Sequence, residues 1–116
     1  MRDRSELTLR KQSDFTRVYK KGKSKGSSYV VILYRKNGLD YTRTAFVASK
    51  KVGNSVERNR SRRLMREAYR SIREKVTNGY DIVFVARAAI NGRTESEVEK
   101  CIRSAMYGCG LIEKRH

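Results

Sequence analysis

Three observations on this 116-residue sequence predict an α+β fold, an α/β sandwich in which helices pack on a single mixed sheet. First, three runs rich in aromatic and β-branched residues, YVVILY, TRTAFVAS and YDIVFVA, are interleaved with segments of helical spacing. The resulting order is helix, strand, strand, helix, strand, helix. Second, residues 41–86 read strand–helix–strand, a crossover unit in the middle of the chain. Third, the length suffices for one buried core and not for two, so residues 1–116 are read as a single domain.

Residues 1–12 are basic and read as irregular chain or a short edge strand. Ser13 is placed to cap a first helix over 14–21, in which Phe15, Val18 and Tyr19 recur at i, i+3 and i+4. Gly22 ends that helix, and KGKSKGSS (21–28) reads as a basic flexible loop. The run 29–36 is a buried strand, and Asn37-Gly38 signals a hairpin to a return strand over about 41–49. Gly53-Asn54-Ser55 supplies a turn and an N-cap for a long helix to about Val76, stopped by Asn78-Gly79. The run 80–86 is apolar on both faces and is therefore an interior strand. A last helix starts near Thr94, where Glu97 completes a capping box, and ends near Gly108; the tail EKRH is expected to fray.

Lys and Arg number 28 against 12 Asp and Glu, a net charge of +16 with a pI near 10.4. Charge of that size favours nucleic acid or an anionic membrane surface. No apolar run approaches the ~20 residues needed to span a bilayer, and MRDRSELTLR leads into no signal-peptide core. The apolar side of the long helix also lacks a Trp or Phe to anchor in an interface. The expected setting is the cytoplasm, without membrane contact. Cys101 and Cys109 stand eight residues apart in a helical segment, about 12 Å along its axis. That is beyond the ~7 Å a disulfide allows, so both are expected reduced, and with a single His they make no zinc site.

The charge concentrates in KKVGNSVERNRSRRLMREAYR (50–70), with two lysines and six arginines against two glutamates. Neighbouring like charges on a helix repel by roughly 0.2–0.5 kcal/mol per pair, a cost that points to a partner. At about 100° per residue from Val56, Leu64, Met65, Ala68 and Ile72 fall between roughly 80° and 180°. Asn59, Arg62, Arg63, Arg66, Arg70 and Arg73 fall between roughly 240° and 340°. One side docks on the core and the other presents arginine with no acid in its arc, whereas an ordinary solvated face mixes signs. Arginine suits bidentate phosphate contact and stacking on bases. Free amides at the helix N-terminus, around Asn54, favour an anion, with Lys50 and Lys51 just ahead and Gly53 allowing close approach. No helix-turn-helix or zinc pattern accompanies the helix, so RNA is preferred to DNA. Phe15, Tyr19 and Tyr34 are candidates for stacking unpaired bases, with core packing the competing role, above all for Phe15.

The segment SKKVGNSVERNRSRRLMREAYR resembles the signature of the bacterial ribonuclease P protein subunit. Ser49-Lys50-Lys51, Gly53-Asn54, Arg58-Asn59-Arg60 and Arg62-Arg63-Leu64 fill that signature in order. The similarity extends to DFTRVYKKGK, YVVILY and DIVFVAR, and so over most of the chain. The resemblance implies a non-catalytic partner of a large RNA that, with Mg²⁺ held mainly by that RNA, removes the 5′ leader from precursor tRNA. No cofactor is then expected on the protein alone, and the protein is expected to be monomeric within the holoenzyme. By the same resemblance Arg58, Asn59, Arg60, Arg62, Arg63 and Arg66 face the catalytic RNA, and Lys51, Asn54 and Arg70 are assigned to the same surface. Phe15, Tyr19 and Tyr34, with Lys50 and Arg87, line a cleft for the single-stranded leader. The family fold carries a left-handed crossover around the long helix, shared with a ribosomal-protein domain; nothing in the residue spacing specifies that hand.

The acids do not make a nuclease centre. Two-metal nucleases need converging carboxylates, whereas Glu57, Glu67 and Glu74 are spread along the long helix and Glu95, Glu97 and Glu99 splay around the last one. The single histidine is His116, so no acid/base pair for metal-free RNA cleavage is present. No catalytic residue is therefore assigned. A ribosomal or RNA-chaperone protein shares nearly every physical feature, and only the ordered signature separates it from the ribonuclease P reading.

Overall fold

The structure is a computed structural model that describes residues 7–113. The expectations placed on residues 1–6, and those on the tail with His116, lie outside the described residues. The chain runs α1 (Gln12–Lys21), β1 (Lys23–Gly26), β2 (Val30–Lys36), β3 (Arg43–Val47), α2 (Ser55–Ile72), β4 (Tyr80–Ala86) and α3 (Glu95–Cys109). Short 3-10 turns occupy Arg73–Lys75 and Ala88–Ile90. The four strands form one mixed sheet in the order β1-β2-β4-β3; β4 is antiparallel to β2 and parallel to β3. The α+β expectation holds, and β4 is the interior strand that its two apolar faces required.

Three local expectations are corrected. Asn37-Gly38 does not close a hairpin, because β2 and β3 are not neighbours: β4 lies between them. The loop instead passes across the end of β4. The Asn37 amide donates to the Gly79 carbonyl at 2.9 Å, and the Thr42 hydroxyl donates to the Thr77 carbonyl at 2.9 Å. An apolar strand buried on both faces needs a partner on each edge, and that requirement overrides the local turn signal. Second, the basic loop 21–28 contains β1, an exposed edge strand of two lysines, a serine and a glycine. It has no apolar alternation to reveal it, and its lysines are the kind of residue that keeps an edge from pairing further. Third, α1 starts at Gln12, with Lys11 as an N-cap that offers no side-chain bond, so Ser13 lies inside the helix. Within the N-terminal segment, the Leu9 amide donates to Thr44 and the Thr44 amide to Leu7, which extends the sheet beyond β3 as a single bridge.

Strand pairing sorts the side chains into two faces. On one lie Val30, Ile32, Ile82, Phe84 and Ala86, packed with Leu64, Met65, Ala68, Tyr69 and Ile72 of α2 and Val98, Ile102, Ala105 and Met106 of α3 in the main core. The other face reads in three rows across β2, β4 and β3: Arg35–Asp81–Arg43, Leu33–Val83–Ala45 and Val31–Val85–Val47. α1 lies over the first two rows. Its Val18 is sealed with Val83, Ala45 and Leu9, while Val31, Val47 and Val85 stay half-exposed.

Arg43 fastens α1 to this face. Its Nε and Nη2 donate to the two carboxylate oxygens of Asp81 at 2.9 and 2.8 Å, and its Nη1 reaches Asp14 of α1 at 3.4 Å. Both carboxylates are buried, and Asn37 Nδ2 donates a further bond to Asp81 at 2.9 Å. The hydrogen bond to Asp81 raises the Arg43 pKa against the desolvation that lowers it, so the cation is permanent.

On the other face Tyr69 packs at a tilt against Phe46 and Phe84, with ring centroids at 6.1 and 5.2 Å. Burial pushes its hydroxyl pKa up to about 12, against a small lowering by Arg73. The folded state therefore holds this proton where the unfolded chain, titrating near 10.0, releases it. Its contribution is fully present below pH ~10 and is lost as pH rises through about 12, of the order of 2–3 kcal/mol. Tyr69→Phe is expected to flatten this alkaline loss. Urea melts at pH 9 and 11 with equal differences for both proteins would refute the assignment.

Candidate nucleic-acid interface

α2 carries the first part of the interface. Leu64, Met65, Ala68 and Ile72 are buried as expected, joined by Ser61 and Tyr69, which periodicity alone did not single out. Ser61 is tolerated there because its hydroxyl donates to the Glu57 carbonyl one turn back at 2.8 Å. On the outer side Asn59, Arg63, Arg66 and Arg70 are exposed and Arg62 half-exposed. No carboxylate among the described residues lies within ion-pair distance of these arginines. Arg62 donates to the Asn59 side chain, and Arg66 lies over the Phe46 ring at 5.6 Å from its centroid.

The start of the helix differs from expectation. Asn54 Oδ1 accepts from the Glu57 amide at 2.9 Å, while Glu57 Oε1 accepts from the Asn54 amide at 3.0 Å. This capping box satisfies amides expected to stand open to an anion, and it brings a carboxylate to that end. Gly53, at φ +143°, serves the same box: a Cβ there would stand 2.2 Å from Glu57 Oε1. Its role is to admit the Glu57 side chain. Arg60 donates to the Arg93 carbonyl at 2.9 Å, and Arg58 Nη2 to Ser55 at 3.3 Å. The Arg58 Nε is buried without a partner among the described residues.

The second part lies on the opposite face of the sheet. Phe15 is half-buried and Tyr19 is 50% exposed, and their rings stack at 6.4 Å with 22° between planes. Beside them runs the half-open row Val31–Val85–Val47, which ends on β1 at Gly26. Arg87 follows β4 and lies over that glycine, with Nη2 3.3 Å from where a Cβ would sit. Lys50 is exposed just beyond β3. Aromatic wall, apolar floor and basic rim together suit an unpaired nucleotide strand.

Tyr34 does not belong to this group. The strand period of two turns it to the α3 side, where it packs against Tyr80 at 6.3 Å and beside Cys109, and burial raises its pKa. The position on the valine side is its neighbour Leu33. Apolar floor residues Val31, Leu33, Val47 and Val85 were missed because each looks like core in sequence; only their alternation with buried Ile32 and Phe84 could have separated them.

The two parts meet at the outer edge of β3. A groove of about 960 Å³ there is lined by Phe15 and Val47 on one side and by Arg66, Arg70 and Arg73 on the other. Among the described residues no three His, Cys, Asp or Glu side chains group together, and the buried Asp14 and Asp81 are both engaged by Arg43. Among those residues, too, no helix is long and apolar enough to cross a membrane. Both cysteines are free thiols.

What the fold and these surfaces define is a small basic domain of the nucleic-acid-binding class, with an arginine helix on one side of its sheet and a half-open face on the other. The profile of the family described as Ribonuclease P matches residues 4–109. The ribonuclease P protein component of Clostridioides difficile is 50% identical over 97 residues, covering 83% of this chain and 85% of that protein. Among solved structures, a mutant RNase P protein of Staphylococcus aureus superposes with a TM-score of 0.85 at 28% identity, covering 93% and 92% of the two chains. The RNase P protein of Thermotoga maritima gives a TM-score of 0.76 at 33% identity, covering 84% and 92%. The chain belongs to the ribonuclease P protein component family.

Proposed function

We propose that this chain binds the catalytic RNA of ribonuclease P through the outer face of α2 and holds the 5′ leader of precursor tRNA on the valine row beside Phe15 and Tyr19. The observation that carries the reading is the composition of α2: its apolar side is buried in the core, and its outer arginines have no carboxylate partner among the described residues. Phosphates of a folded RNA supply the missing anions, and their binding releases counterions. The leader, being single-stranded, takes the stacking surface and the basic rim of Arg87 and Lys50. Because the two surfaces adjoin at the β3 edge, a single copy of the protein can hold both at once.

The chemistry is assigned to the RNA. Mg²⁺ seeks carboxylate and phosphate oxygens, and the buried carboxylates here are already neutralised by Arg43. In this reading the ion sits with the RNA, and the protein raises affinity for leader-bearing precursor and lowers the Mg²⁺ demand. Reconstitution with the cognate catalytic RNA, with and without protein, tests this in the cytoplasm-like salt range. An unchanged Mg²⁺ requirement and an unchanged preference for precursor over mature tRNA would sink the proposal. Phe15→Ala should weaken precursor binding by about 1–3 kcal/mol while leaving affinity for the catalytic RNA and for mature tRNA as they were. Phe15→Leu, which keeps the apolar contact with Val18 and Leu9, separates loss of stacking from loss of fold.

A further inference from the structure

Neither surface uses the charge on β1 and α3. The pairing that turns Ser24 and Gly26 to the valine side turns Lys23 and Lys25 to the α3 side. There a cleft of about 800 Å³ opens between the turn at 25–29 and α3, with Lys25, Ser28, Lys100 and Ser104 on its walls. Lys25 lies across Gly108, where a Cβ would meet its Nζ at 3.3 Å. Lys25 and Lys100 are exposed, and neither has a carboxylate of the described residues within ion-pair distance.

Glu97 also lines the cleft, but it and the neighbouring Glu99 are each engaged by other groups. Glu97 caps α3 by accepting from the Thr94 amide at 3.1 Å and pairs with Arg93 at 3.2 Å, contacts that hold its carboxyl below the usual range. Glu99 pairs with Arg103 at 3.5 Å. The turn itself is held from within: the Cys101 thiol donates to Ser27 Oγ at 2.9 Å, and the Ser27 hydroxyl donates to the Val30 carbonyl. What remains is a fixed concavity with two unpaired ammonium groups and free hydroxyls, the chemistry that holds phosphate without reading bases.

The cleft and the valine row share Gly26. That row ends at Gly26, under Arg87, on the outermost strand of the sheet. One strand spacing, about 5 Å, leads from there round the edge to the lysine side. We infer that the Lys25–Lys100 cleft takes the phosphodiester backbone of the leader after it leaves the valine row, so that a long leader wraps round the β1 edge. The inference rests on the leader reading above. It predicts a contact that depends on leader length and is indifferent to leader sequence.

The test is the holoenzyme reconstituted with the Lys25→Gln/Lys100→Gln protein, titrated with precursors whose leaders are shortened stepwise. Two single-strand phosphate contacts are worth about tenfold in affinity at physiological salt, and about 1.4 in the slope of log affinity on log salt. Long-leader precursors should lose that amount, whereas precursors with the shortest leaders should bind as to wild type. A loss equal at every leader length, or a loss of affinity for the catalytic RNA instead, overturns the proposal and gives the cleft to folded RNA. No change at any length overturns it too. Phe15→Ala run in parallel keeps the two readings apart: if it leaves every precursor unaffected, the leader does not lie on the valine row, whatever the lysines do. Both lysines are exposed and removing them lessens like-charge repulsion, so melting curves should match wild type.

Discussion

Replacing Arg62, Arg63 and Arg66 together by alanine is expected to weaken the complex with the catalytic RNA about a hundredfold at physiological salt. The slope of log affinity on log salt should fall by about 3, one unit for each phosphate no longer neutralised. Stability should not follow. Alanine is the better helix former, and taking three like charges off one face removes repulsion of roughly 0.2–0.5 kcal/mol per pair. Against that stand the packing of Arg66 over Phe46 and the bond of Arg62 to Asn59, worth together on the order of 1 kcal/mol at exposed positions. The melting temperature should therefore stay within a few degrees of wild type. Filter binding across a salt series, with a thermal melt on the same protein, reads both quantities. If affinity drops with an unchanged salt slope, or only in step with stability, these arginines act on the fold and the interface lies elsewhere.

The second large effect is expected at Arg43. Arg43→Met leaves the buried Asp81 without its cation and the buried Asp14 with Arg17 alone, at 3.7 Å. Breaking a buried pair in this way costs about 3–5 kcal/mol, or very roughly 12–20 °C in melting temperature for a domain of this size. Because the same arginine ties α1 to β3 and β4, precursor binding should weaken beyond what the loss of folded protein explains, as the Phe15–Tyr19 wall loosens. Adding Asp81→Asn and Asp14→Asn to Arg43→Met removes the orphaned charges and should recover more than half of the stability. A single variant within about 1 kcal/mol of wild type would show that the network is no brace. Full recovery of stability without recovery of precursor affinity would assign Arg43 a positioning role for α1.

Much of this was readable in the residues because it depends on near neighbours along the chain. The arginine face and apolar face of α2 follow from a period of 3.6, and the interior place of β4 from its unbroken apolar run. The capping box at Thr94 and Glu97 is a pattern of four residues and was found where expected. The order of motifs around residues 49–64 pointed to the family that the comparisons establish.

Other features depended on residues far apart. The insertion of β4 between β2 and β3 cancelled the Asn37-Gly38 hairpin, and pairing with the opposite edge of β2 made β1 a strand from a stretch with no apolar signal. The parity of β2 moved Tyr34 out of the leader group and put Leu33 there, since a shift of one residue exchanges the faces of a strand. The Arg43–Asp81 pair joins residues 38 apart, and the Glu57 box engaged Asn54 and Gly53 in capping α2. Periodicity along the chain thus determined which segments are helix or strand and where the positive charge would gather. Only the packed sheet decided which side chains share a face, because pairing across strands, and not spacing within them, sets which way each residue points.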